Sequence, residues 1–441
     1  MDSTGQPTGV VPGSNLTDLI GQYQRVRAFT EELCRPLQTE DYVIQTMPDV
    51  SPTKWHLAHT SWFFEAFLLA EHQPSYASPD PLYNYLFNSY YIQIGERFHR
   101  PDRGLLSRPT VDEVYRYRRH VDEAVLTLLD AADEQLLAKA APVIILGLHH
   151  EQQHQELLLT DIKHVLSVNP MHPVYARPAA TDTAGVKNDA HVAIPPLQWI
   201  AFEGGLKEFG HAGEGFFYDN EGPHHQAFVQ PFALASRPVT AGEYMEFIED
   251  DGYQRAELWL SDGAAVVEAE GWSAPLYWKK VDGRWHHFTL RGWESVDTAE
   301  PVTHVSLYEA DAYARWKGWR LPSEFEWELA AGGLPVHGNF VDDNRYHPAE
   351  NATTARGLQQ LYGDVWEWTR SPYAPYPGYV PPPGAVGEYN GKFMSSQMVL
   401  RGGSCASSRD HLRPTYRNFF PPHARWQFMG IRLAQDSGDK V

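Results

Sequence analysis

Between about residues 15 and 168 the apolar positions recur at helical spacing, and the pattern predicts four helices. The first covers residues 16–35 and should stop before Pro36, because a residue preceding proline avoids the helical region. Ser51 and Pro52 read as an N-cap and first helical position, opening a second helix over residues 54–71. Thr110 and Glu113 have capping-box spacing and open a third helix running to about residue 130. The last stretch, 133–168, contains Pro142, which should kink or split it. Four such helices make a bundle. The connector from Pro74 to Pro109 is long, and its aromatic density argues against disorder.

Beyond this region the period is lost. Residues 169–196 are rich in Pro, Ala, Thr and Asp and read as a linker. Over 197–435 short β-like runs (197–202, 227–234 and 399–400) lie among Gly, Pro and Trp. Helices are expected at Ala241–Glu249, at Leu307–Trp316 and from Ser323, which has capping-box spacing to Glu326. The expected class is α+β in two domains, a bundle over 15–168 and an irregular domain over 197–435. Residues 1–14 read as disordered and 436–441 as a frayed tail.

Charge and composition narrow the function. Thirty-six basic against 56 acidic residues give a net charge of −20, which argues against a nucleic-acid partner. No apolar run approaches the roughly 18 residues of a membrane span, and the start has no basic region followed by an apolar core. Two cysteines, Cys34 and Cys405, cannot build a disulfide framework, which fits a reducing cytoplasm. The 21 histidines are the unusual feature, and their clustering carries the chemistry.

His150 and His154 are i and i+4 on the last bundle helix, so they share a face and can share a metal. Leu146, Leu157, Leu158 and Ile162 continue that face and turn it inward. His150-Glu151-Gln152-Gln153-His154 also satisfies the zinc-protease pattern, with Glu151 as base. The extended form of that pattern needs a third histidine where Thr160 stands, and no Glu lies between Glu156 and Glu203 to serve otherwise. A better third ligand is His59, on a stripe of Trp55, His59, Trp62, Ala66 and Leu69; His56 is the second choice. Three imidazoles suit zinc or non-haem Fe(II), and spacing does not separate the two. A polar histidine network without metal is the competing structural reading.

The set His59, His150 and His154 resembles the DinB-type metal site. The C-terminal half resembles the formylglycine-generating-enzyme/sulfatase-modifying domain, a C-type-lectin-like fold. Its phrases stand in order: Pro238-Val-Thr240, Pro301-Val302 through Val305-Ser306, Arg320-Leu-Pro-Ser-Glu-Phe-Glu-Trp327, Gly363-Asp-Val-Trp-Glu-Trp368, Arg401-Gly-Gly-Ser404 and Gly430-Ile-Arg432. Together with Leu86-Phe-Asn-Ser-Tyr-Tyr91 and the run from Arg100 to Arg108, the chain resembles the ergothioneine sulfoxide synthases, or hercynine oxygenases.

That resemblance implies a cytoplasmic, Fe(II)- and O2-dependent oxidoreductase that joins cysteine or γ-glutamylcysteine to the imidazole of hercynine (trimethylhistidine) as a sulfoxide. Arg100 and Arg103 suit substrate carboxylates, and Gln153 could reach a substrate at the metal. In mycobacterial-type members a catalytic tyrosine precedes the Arg-Gly-Gly-Ser phrase. Here that region, which includes Tyr389, matches poorly, and Tyr90 and Tyr91 are the replacement candidates for proton donation. Relatives can show Asn-Trp-Asp where this chain has Asn418-Phe419-Phe420. Phe420 offers no carboxylate for a substrate amine, so plain cysteine becomes a credible thiol, while Asn418 and Phe419 are implied to line the trimethylhistidine site. Alternatives are a selenoneine- or ovothiol-type synthase, a formylglycine-generating enzyme, or a non-catalytic lectin-like module. The formylglycine reading offers only Cys405 as a late reactive cysteine.

Overall fold

The computed structural model describes residues 16–176, 196–350 and 357–437, so residues 1–14, most of the linker and the end of the tail lie outside the described residues. It divides into two units. The first comprises residues 1–169 with two later segments, 212–219 and 380–392; the second holds the rest.

In the first unit, α1 (Leu16–Cys34) ends before Pro36 as expected. It buries Leu19, Tyr23, Arg27, Thr30 and Leu33, a four-then-three spacing on one face. The second helix begins one residue later than the capping pattern suggested. Pro52 is the residue before α2 (Thr53–Phe64), and no side chain caps it. Ser51 is used differently: its N–H donates to Asp161 Oδ2 at 2.8 Å, and its hydroxyl accepts from Arg103 Nη1 at 2.9 Å. Every residue of α2 is buried, so it is the bundle's central helix and has no solvent face. It passes through a π-helical turn, Glu65–Leu69, into the short α3 (Ala70–His72). That turn shifts the phase, leaving Ala66 half-buried while Phe67 and Leu68 go inward.

The long connector is ordered around α4 (Tyr83–Phe87) and a 3-10 turn at Arg100–Leu105. The Thr110/Glu113 capping box forms and opens α5 (Val111–Asp130). Asp133 caps α6 (Glu134–Val168), which Pro142 does not split. The carbonyl that proline leaves without an amide partner belongs to Ala138, on an exposed turn where water can satisfy it.

One buried carboxylate ties the four long helices together. Glu151 on α6 accepts from Arg27 (2.9 Å) and Thr30 (2.6 Å) of α1 and from Arg118 (2.5 Å) of α5. The same guanidiniums reach Ser61 and Thr60 of α2. Burial pushes the Glu151 carboxyl up, but Arg118 and Arg27 outweigh it and hold the group at about 2.

In the second unit, β1 (Trp199–Phe202), β2 (Gly205–Phe209), β3 (His225–Val229) and β4 (Phe232–Ala235) open the domain. The expected run 227–234 is thus two strands, broken near Pro231, which cannot donate to a ladder. Helix α7 (Ala241–Glu249) falls where predicted, α8 (Ser261–Glu270) was not predicted, and β5 (Trp278–Val281), β6 (Arg284–Thr289) and β7 (Gly292–Ser295) form an antiparallel meander. Helices α9 (Leu307–Trp316) and α10 (Glu324–Ala331) each carry a capping box, the second at the predicted Ser323. Strand β8 (Trp366–Pro372) then precedes α11 (Glu388–Lys392), a short helix within the first unit's 380–392 segment. The strands β9 (Met398–Arg401), β10 (Asn418–Phe420) and β11 (Met429–Gly430) join β8 in a sheet ordered β10-β9-β8-β11, and β12 (Ala434–Asp436) pairs with β4. The core holds buried ion pairs, Arg432 with Glu367 and Arg401 with Glu324 and Glu328. All of these but Glu328 are residues of the phrases singled out in the sequence, so much of that pattern encodes folding.

Candidate metal centre

His59 on α2 and His150 and His154 on α6 converge, with one ligand nitrogen from each lying within 4.8 Å of the others. His59 Nε2 and His150 Nε2 are 3.2 Å apart. Hydrogen bonds on the far side of the rings set where the lone pairs point. His59 Nδ1 lies 2.6 Å from the Phe87 carbonyl, which can only accept, so Nδ1 carries the proton and Nε2 presents a lone pair.

A second chain orients His154. Asp161 Oδ2 lies 3.1 Å from His56 Nε2, and His56 Nδ1 lies 2.9 Å from His154 Nδ1. With Asp161 ionised, His56 donates to it and accepts from His154, which leaves His154 Nε2 as a lone pair. His56, the second-choice ligand in the sequence, is thus placed between Asp161 and His154, where it can support His154. Its spacing was the available signal, since Asp161 lies seven residues beyond His154 and so returns to the same helix face.

All three imidazoles are kept neutral. Burial lowers the pKa of His59, with the neighbouring His150 adding to it; burial and the same neighbour lower His154; and burial pushes His150 down to about 4. A cation seated among the three rings would take up the lone pairs of His59 Nε2 and His154 Nε2. The donor set thus fits a divalent metal held by three neutral nitrogens.

The surroundings are aromatic and cationic. Trp55 stacks on His59 at 4.5 Å and Trp62 stacks on its other side at 5.4 Å. The Arg103 guanidinium lies 3.3 Å above the Trp55 ring, and burial, with Arg100 adding like charge, pushes its pKa down to about 9. Arg100 donates to the Tyr90 hydroxyl at 2.8 Å and to the Asp49 carbonyl. Among the described residues neither arginine makes an ion pair, and both bury an Nε with no hydrogen-bond partner.

Tyr90 and Tyr91, on a turn of the long connector, meet different partners. Tyr91 is buried against Trp62 and Phe67, and that burial pushes its hydroxyl pKa up. Tyr90 faces Arg100 and the Tyr389 ring, 5.7 Å away on α11. Tyr389 joins the first unit through hydrogen bonds between Lys392 and the Tyr90 carbonyl, and between Gln93 and Glu388. Sequence reasoning could not place Tyr389, because no local pattern pairs residues nearly 300 apart. Gln153 is half-buried on α6, one residue before His154. Asn418, Phe419 and Phe420 form β10 in the second unit, where Phe419 stacks on Tyr373 at 4.0 Å and Phe420 meets Trp426 edge-on.

Comparison with known proteins agrees with this architecture. Residues 22–158 match the DinB superfamily model, and residues 186–356 and 350–437 match the sulfatase-modifying factor enzyme 1-like domain. The chain is 33% identical to the hercynine oxygenase of Mycolicibacterium thermoresistibile over 88% of each chain. It is 32% identical to the hercynine oxygenase of Mycobacterium tuberculosis, over 88% of this chain and 92% of that one. The formylglycine-generating enzyme of Mycobacterium tuberculosis is 29% identical, over 51% of this chain and 94% of its own length.

Proposed function

Because the chain belongs to the hercynine oxygenase family, we propose that it is a cytoplasmic iron(II)-dependent sulfoxide synthase of ergothioneine formation, acting on hercynine, O2 and a cysteine-type thiol. The observation that carries this reading is the convergence of His59, His150 and His154, with the lone pairs of His59 and His154 already oriented. Bound there, iron(II) supplies the one-electron and dioxygen chemistry that side chains lack. The overall change balances: an imidazole C–H, an S–H and O2 become a C–S bond, one S=O and one water.

The protein's own part is positioning and proton supply. Arg103, buried, and Arg100, half-buried, both without carboxylate partners among the described residues, hold substrate carboxylates; such a partner would also offset the desolvation that depresses Arg103. Gln153 reaches a substrate at the centre. Tyr90 and Tyr91 are candidate proton donors, joined by Tyr389, and the contact with Arg100 favours Tyr90 or its neighbour Tyr389. The missing carboxylate at Phe420 keeps cysteine beside γ-glutamylcysteine as the thiol.

Product analysis with iron(II), O2, hercynine and, in separate arms, cysteine, γ-glutamylcysteine and a selenium donor tests this. A sulfoxide from one of the two thiols is expected. Product only in the selenium arm moves the assignment to a selenoneine-type synthase, and no product with any donor sinks it. Arg103→Ala should raise KM at least roughly tenfold with a smaller change in kcat, in keeping with the loss of a charge-assisted hydrogen bond. Sulfoxide formation at the native rate in Tyr90→Phe/Tyr389→Phe would move the proton donor elsewhere, with Tyr91→Phe the next variant.

A further inference from the structure

A second set of metal donors lies in the second unit and shares no residue with the first. His287, Glu300 and His347 place one ligand atom each within 4.8 Å of the others. They come from three separate segments: the β6 strand, the turn after β7, and the loop after the 3-10 turn Val341–Asp343. All three are buried, at 5%, 6% and 4% exposure. We propose that these residues form a structural zinc site.

The donor geometry supports this choice. Glu300 Oε2 is 3.0 Å from His347 Nε2, and Glu300 Oε1 is 3.6 Å from His287 Nδ1. A tetrahedron with zinc bonds of 2.0–2.1 Å has an edge of about 3.3 Å, between those two separations. The rings stand at 88° with centroids 5.0 Å apart, so the two nitrogens approach the carboxylate from different directions. Each carboxylate oxygen faces a different imidazole, so the carboxylate can meet the ion between the two rings. All three donor residues are buried, whereas a catalytic zinc held by two histidines and a glutamate keeps an open position for water or substrate.

The backbone around each donor is fixed independently. His287 pairs in register with Trp278 on one side and Glu294 on the other. The Glu300 carbonyl accepts from Ala241 N–H at 2.8 Å, and the His347 carbonyl accepts from Asn339 Nδ2 at 2.8 Å. Tyr346, directly before His347, has φ of 50°, in the left-handed region that a bulky residue rarely enters. Such conformations persist where the surroundings impose them, often at ligand sites. Zinc here would staple the β5–β7 meander to the two loops and so stabilise a unit rich in irregular backbone. The competing arrangement is a metal-free trio in which each imidazole N–H donates to Glu300.

Zinc titration of the metal-stripped full chain separates the two. The native chain should take up two equivalents, and His150→Ala/His154→Ala, which disables the first centre, should take up one. Adding His287→Gln and His347→Gln to that variant should abolish uptake. One equivalent in the native chain, or none in His150→Ala/His154→Ala shown by circular dichroism to be folded, overturns the proposal. Should the quadruple variant fail to fold, X-ray absorption on zinc-loaded His150→Ala/His154→Ala decides. Two imidazoles with oxygen donors are expected, and any other ligand set contradicts the assignment.

Discussion

At the scale of single residues, the site is built as much by supports as by ligands. His56 and Asp161 fix the tautomer of His154, so His56→Ala should weaken metal binding by roughly 10–100-fold while leaving three ligands in place. Competition with a chromogenic chelator measures this, and unchanged affinity would remove His56 from its assigned role. Glu151 shows why a motif match misleads. The sequence offers it as the base of a zinc protease, yet its carboxylate is spent on Arg27, Arg118 and Thr30. Glu151→Gln leaves two buried guanidiniums undercompensated and should cost about 3–5 kcal/mol in denaturant unfolding.

The same residues set the acid response of the metal-free chain. His150 falls from 6.5 to about 4 and Glu151 from 4.5 to about 2 on folding. In both cases the unfolded chain binds more protons, so stability declines as pH falls from about 6.5 through 4 and on towards 2. Glu151→Gln should abolish the part of the decline between 4.5 and 2; a native-like slope in that window would contradict the assignment.

At the scale of elements, the bundle's metal face depends on how closely α6 approaches α2. Gly147 sits one turn before His150, and a Cβ there would come within 2.5 Å of the Phe64 ring. Gly147→Ala should therefore cost about 1–3 kcal/mol and weaken metal binding together with it, because the helix must move away. Calorimetry and metal titration on the one variant check both. Helices were legible where a capping box stood in the sequence, as at Thr110 and Ser323, and by pattern alone at Ala241–Glu249, whose Thr240 capping box only the structure shows. The π-turn after Phe64 and the unbroken helix through Pro142 were not legible. Both are set by tertiary packing and solvent exposure, which local pattern does not carry. The stripe through His59 pointed inward correctly, although the whole of α2 is buried and any face of it would have done so.

At the scale of the molecule, the first unit assembles from three stretches of chain, 1–169, 212–219 and 380–392. Periodicity gave the helical part, and the ordered phrases gave the resemblance of the other. Neither could bring Tyr389 to Tyr90 or join His287, Glu300 and His347, since these are long-range encounters between unrelated segments. The −20 charge retains its negative meaning, and among the described residues no helix is long and apolar enough to cross a membrane. What joins the scales is the convergence of His59, His150 and His154, and oxygen consumption coupled to product formation tests it most directly. The iron(II)-loaded chain, given hercynine and thiol, should consume one O2 per sulfoxide formed, and His154→Ala should lose both iron and turnover. Sulfoxide formation at an undiminished rate in His154→Ala, or native chain that binds iron and consumes no O2 with both substrates present, would contradict that assignment.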